Sequence, residues 1–151
     1  MTLAPGPAAI LTAIARRLIP ADEHGPGAEE AGAAAYAVRE FASRAAVESV
    51  GVDWLGAVDR CAVERYGDHL FALGADRQDA LLADLERGAG GTGRHDEAAG
   101  FALVRDLVLE GMFGDPAWGG NRDRAGWALL GYDGPRRVWT AAEQELDALP
   151  R

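Results

Sequence analysis

The stretch Asp96-Glu-Ala-Ala-Gly-Phe-Ala-Leu-Val-Arg-Asp-Leu-Val-Leu-Glu-Gly-Met112 decides the fold. Phe101, Val104, Leu107, Val108 and Met112 recur at three- and four-residue intervals, which gathers them on one face of an α-helix. The same period repeats upstream. Leu81, Leu82 and Leu85 mark a short helix, with Asp76 as its expected N-cap and Gly88 as its stop. Between these two helices, Gly88-Ala-Gly-Gly-Thr-Gly-Arg94 reads as a flexible linker and not as a domain boundary. Farther back, Leu55, Val58, Ala62, Tyr66, Leu70 and Leu73 predict one helix from near Asp53 to Gly74. A helix opening at Pro26 or Gly27 is expected to run through Tyr36, Val38 and Phe41 to about Val47. Glu29 and Glu30 would occupy its first turn, where the helix dipole favours acids. The first helix, about 7–19, aligns Ile10, Leu11, Ile14, Leu18 and Ile19, with Pro7 suited to its opening turn.

Downstream of Met112 the composition changes abruptly. Residues 111–135 hold seven glycines, two prolines, Phe113, Trp118, Trp127 and Tyr132. Beyond them, Thr140-Ala-Ala-Glu143 is a capping box for a short terminal helix with Leu146 and Leu149. No internal repeat and no alternating run of strand length interrupts the helical pattern. The expected architecture is all-α: a compact bundle of about five to six helices with a Gly/Trp-rich loop near the C-terminus, in one domain spanning 1–151.

Charge and composition exclude several classes of function. The net charge is −9, and all 15 basic residues are arginine, a usage that looks like GC-rich coding bias. Acids exceed arginines in both halves of the chain, so no basic stripe is present to follow a nucleic-acid backbone or an anionic membrane surface. No uninterrupted apolar run approaches the roughly 20 residues that a membrane span needs. Arg16-Arg17 superficially resembles a twin-arginine export signal, but Pro20-Ala-Asp-Glu-His-Gly-Pro26 stands where the apolar region should follow. The expectation is a cytoplasmic protein. A periplasmic location follows instead if a signal was removed or is supplied by a partner.

The inventory for catalysis is thin. His24 follows Asp22 and Glu23 in a Pro/Gly-rich turn, but three neighbours in sequence point apart and make a poor metal site. His69 reads as a surface or partly buried side chain, and His95-Asp96 as a helix start that Asp96 helps to cap. Ser43 and Ser49 lie in no nucleophile elbow, and Cys61 reads as a small buried hydrophobe. Gly88–Gly93 lacks the preceding strand of a dinucleotide fingerprint, and no P-loop is present. The chain is therefore not expected to be an enzyme by itself: no catalytic residue, metal site or cofactor site is assigned to it.

The informative segment is Glu110-Gly-Met-Phe-Gly-Asp-Pro-Ala-Trp-Gly-Gly-Asn-Arg-Asp-Arg-Ala-Gly-Trp127, followed by Leu130-Gly-Tyr-Asp-Gly-Pro135. Aromatics interleaved with polar groups suit a binding surface, which needs broad apolar contact and directional hydrogen bonds. Asp115, Asn121 and Asp123 lack the spacing of a calcium loop, and Asp and Asn in such loops often bond their own backbone. Two roles remain open for the site residues Glu110, Phe113, Asp115, Pro116, Trp118, Gly119, Gly120, Asn121, Arg122, Asp123, Trp127 and Tyr132. They face a partner, or they turn inward as the scaffold of the loop, and a locked loop can do both. Arg122 and Arg124 would suit partner carboxylates, and Asp115 a partner arginine.

This segment resembles the signature of the gluconate 2-dehydrogenase subunit 3 family, in which a tyrosine often stands at the position of Trp118. Leu11-x-Ala-Ile-Ala-Arg-Arg-Leu-Ile-Pro-Ala-Asp-Glu-x-Gly-Pro-Gly-Ala-Glu-Glu-Ala-Gly32 is similar to the way such chains begin. The resemblance implies a non-catalytic small subunit that binds and stabilises a large flavoprotein dehydrogenase of the glucose–methanol–choline type. On that reading the partner carries the FAD, the catalytic histidine and the sugar or polyol site. Electrons then pass to an acceptor such as a cytochrome c or an iron–sulfur cluster. The small subunit of this family often carries a twin-arginine signal, and here the chain departs from the pattern. The competing expectation is a stand-alone helical module that binds a ligand or metal without a flavoprotein partner.

Overall fold

The computed structural model describes residues 5–135. Six α-helices follow one another: α1 Pro5–Leu18, α2 Ala33–Val47, α3 Trp54–Tyr66, α4 Ala75–Glu86, α5 Glu97–Phe113 and α6 Ala125–Leu129. Single 3₁₀ turns lie at Leu70–Ala72, Pro116–Trp118 and Arg122–Arg124. Among the described residues there is no strand, only an isolated bridge between Asp22 and Gly25. The all-α bundle read from the sequence is the observed fold. The terminal helix expected at Thr140–Leu149 lies outside the described residues.

α5 forms the axis of the bundle. Phe101, Val104, Leu107, Val108 and Met112, the face that defines its period, are all buried. So are Leu103 and Gly111 on its other sides, because α2, α1 and α4 pack around it. α2 contributes Phe41 and a row of alanines, Ala33, Ala34, Ala37 and Ala45, which keep its backbone close to α5. Trp54, Leu55 and Val58 of α3 and Leu81, Leu82 and Leu85 of α4 complete the core. Each fully buried large apolar side chain contributes about 1.5–3 kcal/mol relative to exposure, so the core is the main source of stability.

Five local expectations are corrected. α2 does not open at Pro26 or Gly27 but at Ala33. Residues 20–32 form a self-bonded turn, with the Ala28 amide donating to Ile19 O and Gly32 in the left-handed region at φ 78°. Glu29 is thereby released from any helix start and pairs with Arg16 of α1. α3 ends at Tyr66, not at Gly74, because Gly67 adopts φ 82° and closes the helix with its amide on Val63 O. Leu70 and Leu73 still reach the core from the 3₁₀ turn that follows. There the Leu70 amide donates to Asp59 Oδ1 at 2.9 Å, and His69, stacked on Phe71, meets Asp59 Oδ2 at 2.7 Å. Asp76 is not the N-cap of α4; Gly74 is, and Asp76 sits within the first turn.

The fourth correction concerns Gly88–Arg94, which is tied down and not a loose linker. The Gly90 and Thr92 amides donate to the buried carboxylate of Glu97 at 2.9 and 2.6 Å. Cys61 Sγ donates to Gly90 O at 2.9 Å, and burial pushes its thiol up from the ordinary range. Cys61 is thus the buried hydrophobe its helical pattern implied. Asp96 stands at the N-cap position of α5, but its side chain caps nothing there. It accepts from Arg94 Nε at 2.7 Å, from Arg94 Nη2 at 2.9 Å and from the Gly51 amide at 2.9 Å. The Gly51 bond, together with the Arg94–Asp53 ion pair at 2.9 Å, joins the α4–α5 loop to the α2–α3 loop.

The Arg94 guanidinium holds the Asp96 carboxyl far below the usual carboxylate range, and the Gly51 amide adds to that effect. A carboxyl depressed in the folded state stabilises the protein above its unfolded pKa and loses that contribution as pH falls through the folded value. Acid should therefore weaken the fold from about pH 4 downward. Asp96→Asn is expected to cost roughly 3 kcal/mol at pH 7 by leaving Arg94 without its buried partner. It should also flatten the acid limb. Denaturant titrations of both proteins across pH 2–7 measure this, and an unchanged acid limb in Asp96→Asn would remove Asp96 as its cause.

Candidate functional site

The Gly/Trp-rich segment begins on α5 and folds back against it. Glu110, one turn from the end of α5, is a tie between helices. Tyr36 Oη donates to its Oε2 at 3.2 Å, and Arg44 Nη1 donates to both carboxylate oxygens at 3.1 Å. Burial, and then the Glu110 carboxylate, raise the Tyr36 phenol above its ordinary pKa. Residue 111 lies between two close neighbours. A Cβ on Gly111 would stand 2.9 Å from Ala33 Cα of α2. A Cβ on Gly120 would stand 2.8 Å from Gly111 Cα and even closer to its carbonyl oxygen. Only glycine at both positions lets the loop lie on α5 while α2 covers the other side.

Asn121 locks this arrangement. It is completely buried, at φ 45°, and its hydrogen bonds all go to backbone. Its amide donates to Gly111 O at 2.6 Å, its Nδ2 donates to Gly114 O at 2.8 Å, and its Oδ1 accepts from the Gly126 amide at 2.9 Å. Gly126 is itself pressed against Met112 O, where a Cβ would overlap the oxygen. Trp127 is buried and donates from Nε1 to Phe113 O at 2.7 Å, while Tyr132 meets its ring edge-on at 5.1 Å. Phe113 is half-buried against the core. Asp115 accepts from the Ala117 amide at 2.9 Å, which caps the 3₁₀ turn that Pro116 opens.

The loop is also fastened to the N-terminal motif. The Arg122 amide donates to Ala31 O at 2.7 Å, and its Nη1 to Glu30 O at 3.3 Å. Leu129 lies over Gly25. The two stretches that carry the family resemblance are therefore in direct contact. Arg122 spends its guanidinium on a carbonyl of this chain, whereas among the described residues Asp123 and Arg124 form no ion pair. Both are exposed and left-handed, at φ 56° and 58°, a conformation that costs of order 1 kcal/mol for a residue with a side chain.

Of the sequence-derived site residues, Glu110, Gly120, Asn121 and Trp127 thus turn inward, joined by the hydrogen bonds of Asp115 and Arg122. Trp118 and Tyr132 turn outward. Trp118 is 65% exposed and Tyr132 48% exposed, with Leu130 at 64% and Leu129 at 41% in the same segment. Gly126, Tyr36, Arg39 and Arg44 also belong to the assembly. Gly126 sits inside the quoted motif, but nothing in sequence spacing links the α2 side chains to a loop some 75–80 positions later. The remaining candidates stay apart. His24 is exposed in the Asp22–Gly25 turn, where Asp22 Oδ1 accepts the His24 amide at 2.8 Å. Among the described residues no group of three or more His, Cys, Asp or Glu is placed to hold a metal ion, and no helix is long and apolar enough to cross a membrane.

Residues 6–134 match the family model described as Gluconate 2-dehydrogenase subunit 3. No curated protein and no solved structure matches the chain.

The Asn121 geometry yields a measurable expectation. Asn121→Ala strands the Gly114 carbonyl and the Gly126 amide and places alanine in a left-handed conformation, so a loss of about 2–4 kcal/mol is expected. Asn121→Asp keeps an acceptor for Gly126 but has no donor for Gly114, and should also lose stability. Chemical denaturation checks both; a loss under about 0.5 kcal/mol in Asn121→Ala would mean that the loop is held by its apolar contacts alone.

Proposed function

Because the chain belongs to the gluconate 2-dehydrogenase subunit 3 family, we propose that it is the non-catalytic small subunit of an FAD-dependent sugar or polyol dehydrogenase. Its partner is a large flavoprotein of the glucose–methanol–choline oxidoreductase type, which supplies the flavin and the substrate site. A cytochrome c or similar acceptor takes the electrons downstream. The chain acts by association: it binds the folded, flavin-loaded partner and not the unfolded one, and so stabilises it by mass action.

The observation that carries this reading is the exposed indole of Trp118 on a loop that Asn121 and Trp127 bond to the backbone of the bundle. A large aromatic side chain left in water on a rigid, internally bonded segment is poorly explained by folding alone. It suits an interface anchor, for which aromatic area at low conformational cost is the main currency of affinity. Leu130 and Tyr132 are further exposed apolar side chains of the same segment.

Co-expression with the flavoprotein encoded beside this chain, affinity purification and an absorption spectrum form the direct test. A yellow complex of defined stoichiometry is expected, with dye-linked sugar oxidation reduced when this chain is omitted. A colourless chain that brings down no flavoprotein would refute the subunit reading. Within the complex, Trp118→Ala should weaken association about thirtyfold or more while the melting temperature of the isolated chain moves by about 2 °C or less. Equal loss of both would place Trp118 in the folding core and not at the interface.

A further inference from the structure

We propose that Arg39 of α2 is the positioning residue for the docking loop, setting where Trp118 stands before any partner arrives. The inference rests on the subunit reading above, and goes beyond it by assigning a role to a helix that carries none of the loop motif.

Arg39 makes three contacts that use different parts of one planar group. Its Nη2 donates to Trp118 O at 2.7 Å, its Nε donates to Glu40 Oε1 at 2.8 Å, and its Cζ lies 5.1 Å from the centroid of the Tyr36 ring. Tyr36 is itself tied in turn: its hydroxyl is bonded to Glu110, and Glu110 is bonded to Arg44. A line of contacts therefore runs from the end of α5, through Tyr36, to Arg39 and on to the backbone of Trp118. The carbonyl at its far end belongs to the last residue of the 3₁₀ turn Pro116–Trp118, whose own bonds are the Asp115 cap, the Trp118 amide on Asp115 O at 2.9 Å and the Gly119 amide on Pro116 O at 3.0 Å, none of which ties the turn to α2.

The next residue is fitted to the same cation. Gly119 has φ 89°, and a Cβ there would stand 3.1 Å from Arg39 Nη1. The turn after Trp118 thus needs glycine for its backbone conformation and for the space the guanidinium occupies. The indole itself leans toward the chain at Gly114, where a Cβ would stand 3.5 Å from Trp118 Cε3. An exposed aromatic side chain on a free loop pays for its ordering when it binds; one already held in place does not. Arg39 and Glu40 lie at the surface, where ion pairs add little to folding stability. The contact is therefore better suited to placing Trp118 than to stabilising the bundle. Lysine cannot replace it, because a single ammonium cannot stack on Tyr36 while directing separate donors at Glu40 and Trp118 O.

The isolated full chain and its complex together test this. In the isolated chain, labelled with ¹⁵N, Arg39→Ala is expected to lower the backbone order parameters of Trp118–Asn121 from the rigid range near about 0.85 toward about 0.6, leaving the Trp127 indole and the melting temperature nearly unchanged. Arg39→Lys should fall between the two. In the complex, Arg39→Ala should weaken association roughly tenfold, and combining it with Trp118→Ala should cost no more than Trp118→Ala alone. Unchanged order parameters at Trp118–Asn121 in Arg39→Ala would overturn the proposal, as would strictly additive losses in the double variant. If no flavoprotein binds the unaltered chain, the subunit reading fails, while the order parameters still decide whether Arg39 positions the loop.

Discussion

The bond from the Asn121 amide to Gly111 O, at 2.6 Å, is the point on which the C-terminal third of the structure depends. It can form only because neither Gly111 nor Gly120 carries a side chain, so that loop, α5 and α2 pass within backbone contact of one another. A loop laid against a helix in this way buries amides and carbonyls that have lost water. Each one left unpaired would cost about 1–3 kcal/mol. The Asn121 side chain meets that demand with one donor and one acceptor, to Gly114 O and from the Gly126 amide. The dense packing and the saturated hydrogen bonding are one solution, and neither would hold without the other.

From that crossing the loop divides its residues by direction. Trp127, Asn121 and Gly120 face the bundle, while Trp118, Leu130 and Tyr132 face water. The left-handed conformations of Asn121, Asp123 and Arg124 carry the chain through the tight path between these two sets. Strain of this kind persists where the surroundings over-determine it, and here the Arg122 amide, in the midst of these residues, is fastened to Ala31 O. The N-terminal turn is thus part of the support for the C-terminal loop. Two motifs nearly 80 residues apart in sequence form one structural unit across Ala31–Arg122 and Gly25–Leu129.

The opposite end of α5 uses a different means to the same end. Buried Asp96 and Glu97 accept the amides of Gly51, Gly90 and Thr92 and draw two irregular segments onto the helix start. Glycine-rich composition gave no hint of this restraint, since the same residues that allow flexibility also expose amides for a carboxylate to collect. α5 is therefore anchored at both ends by groups that satisfy loop backbone, carboxylates at its N-terminus and a carboxamide at its C-terminus. Its apolar faces meet α1, α2 and α4 between these anchors.

Hydrophobic period was enough to read the helices from the amino-acid sequence, because burial of one face at 3.6 residues per turn is a local property of the chain. It gave the all-α class, the extent of α5 and the buried Cys61, and the Gly/Trp motif pointed to the family and to the loop as the site. Helix ends were less legible. Leu70 and Leu73 keep helical spacing although Gly67 has already stopped α3, and the turn at 20–32 consumes what reads as the first turns of α2. Which motif residues face inward was not legible at all. That choice depends on partners such as Gly111 against Ala33, Arg39 against Trp118 and Arg122 against Glu30, whose contacts join positions far apart in the chain. Period and composition are properties of neighbours in sequence; the direction of a side chain in an irregular loop is set by whatever backbone the fold brings beside it.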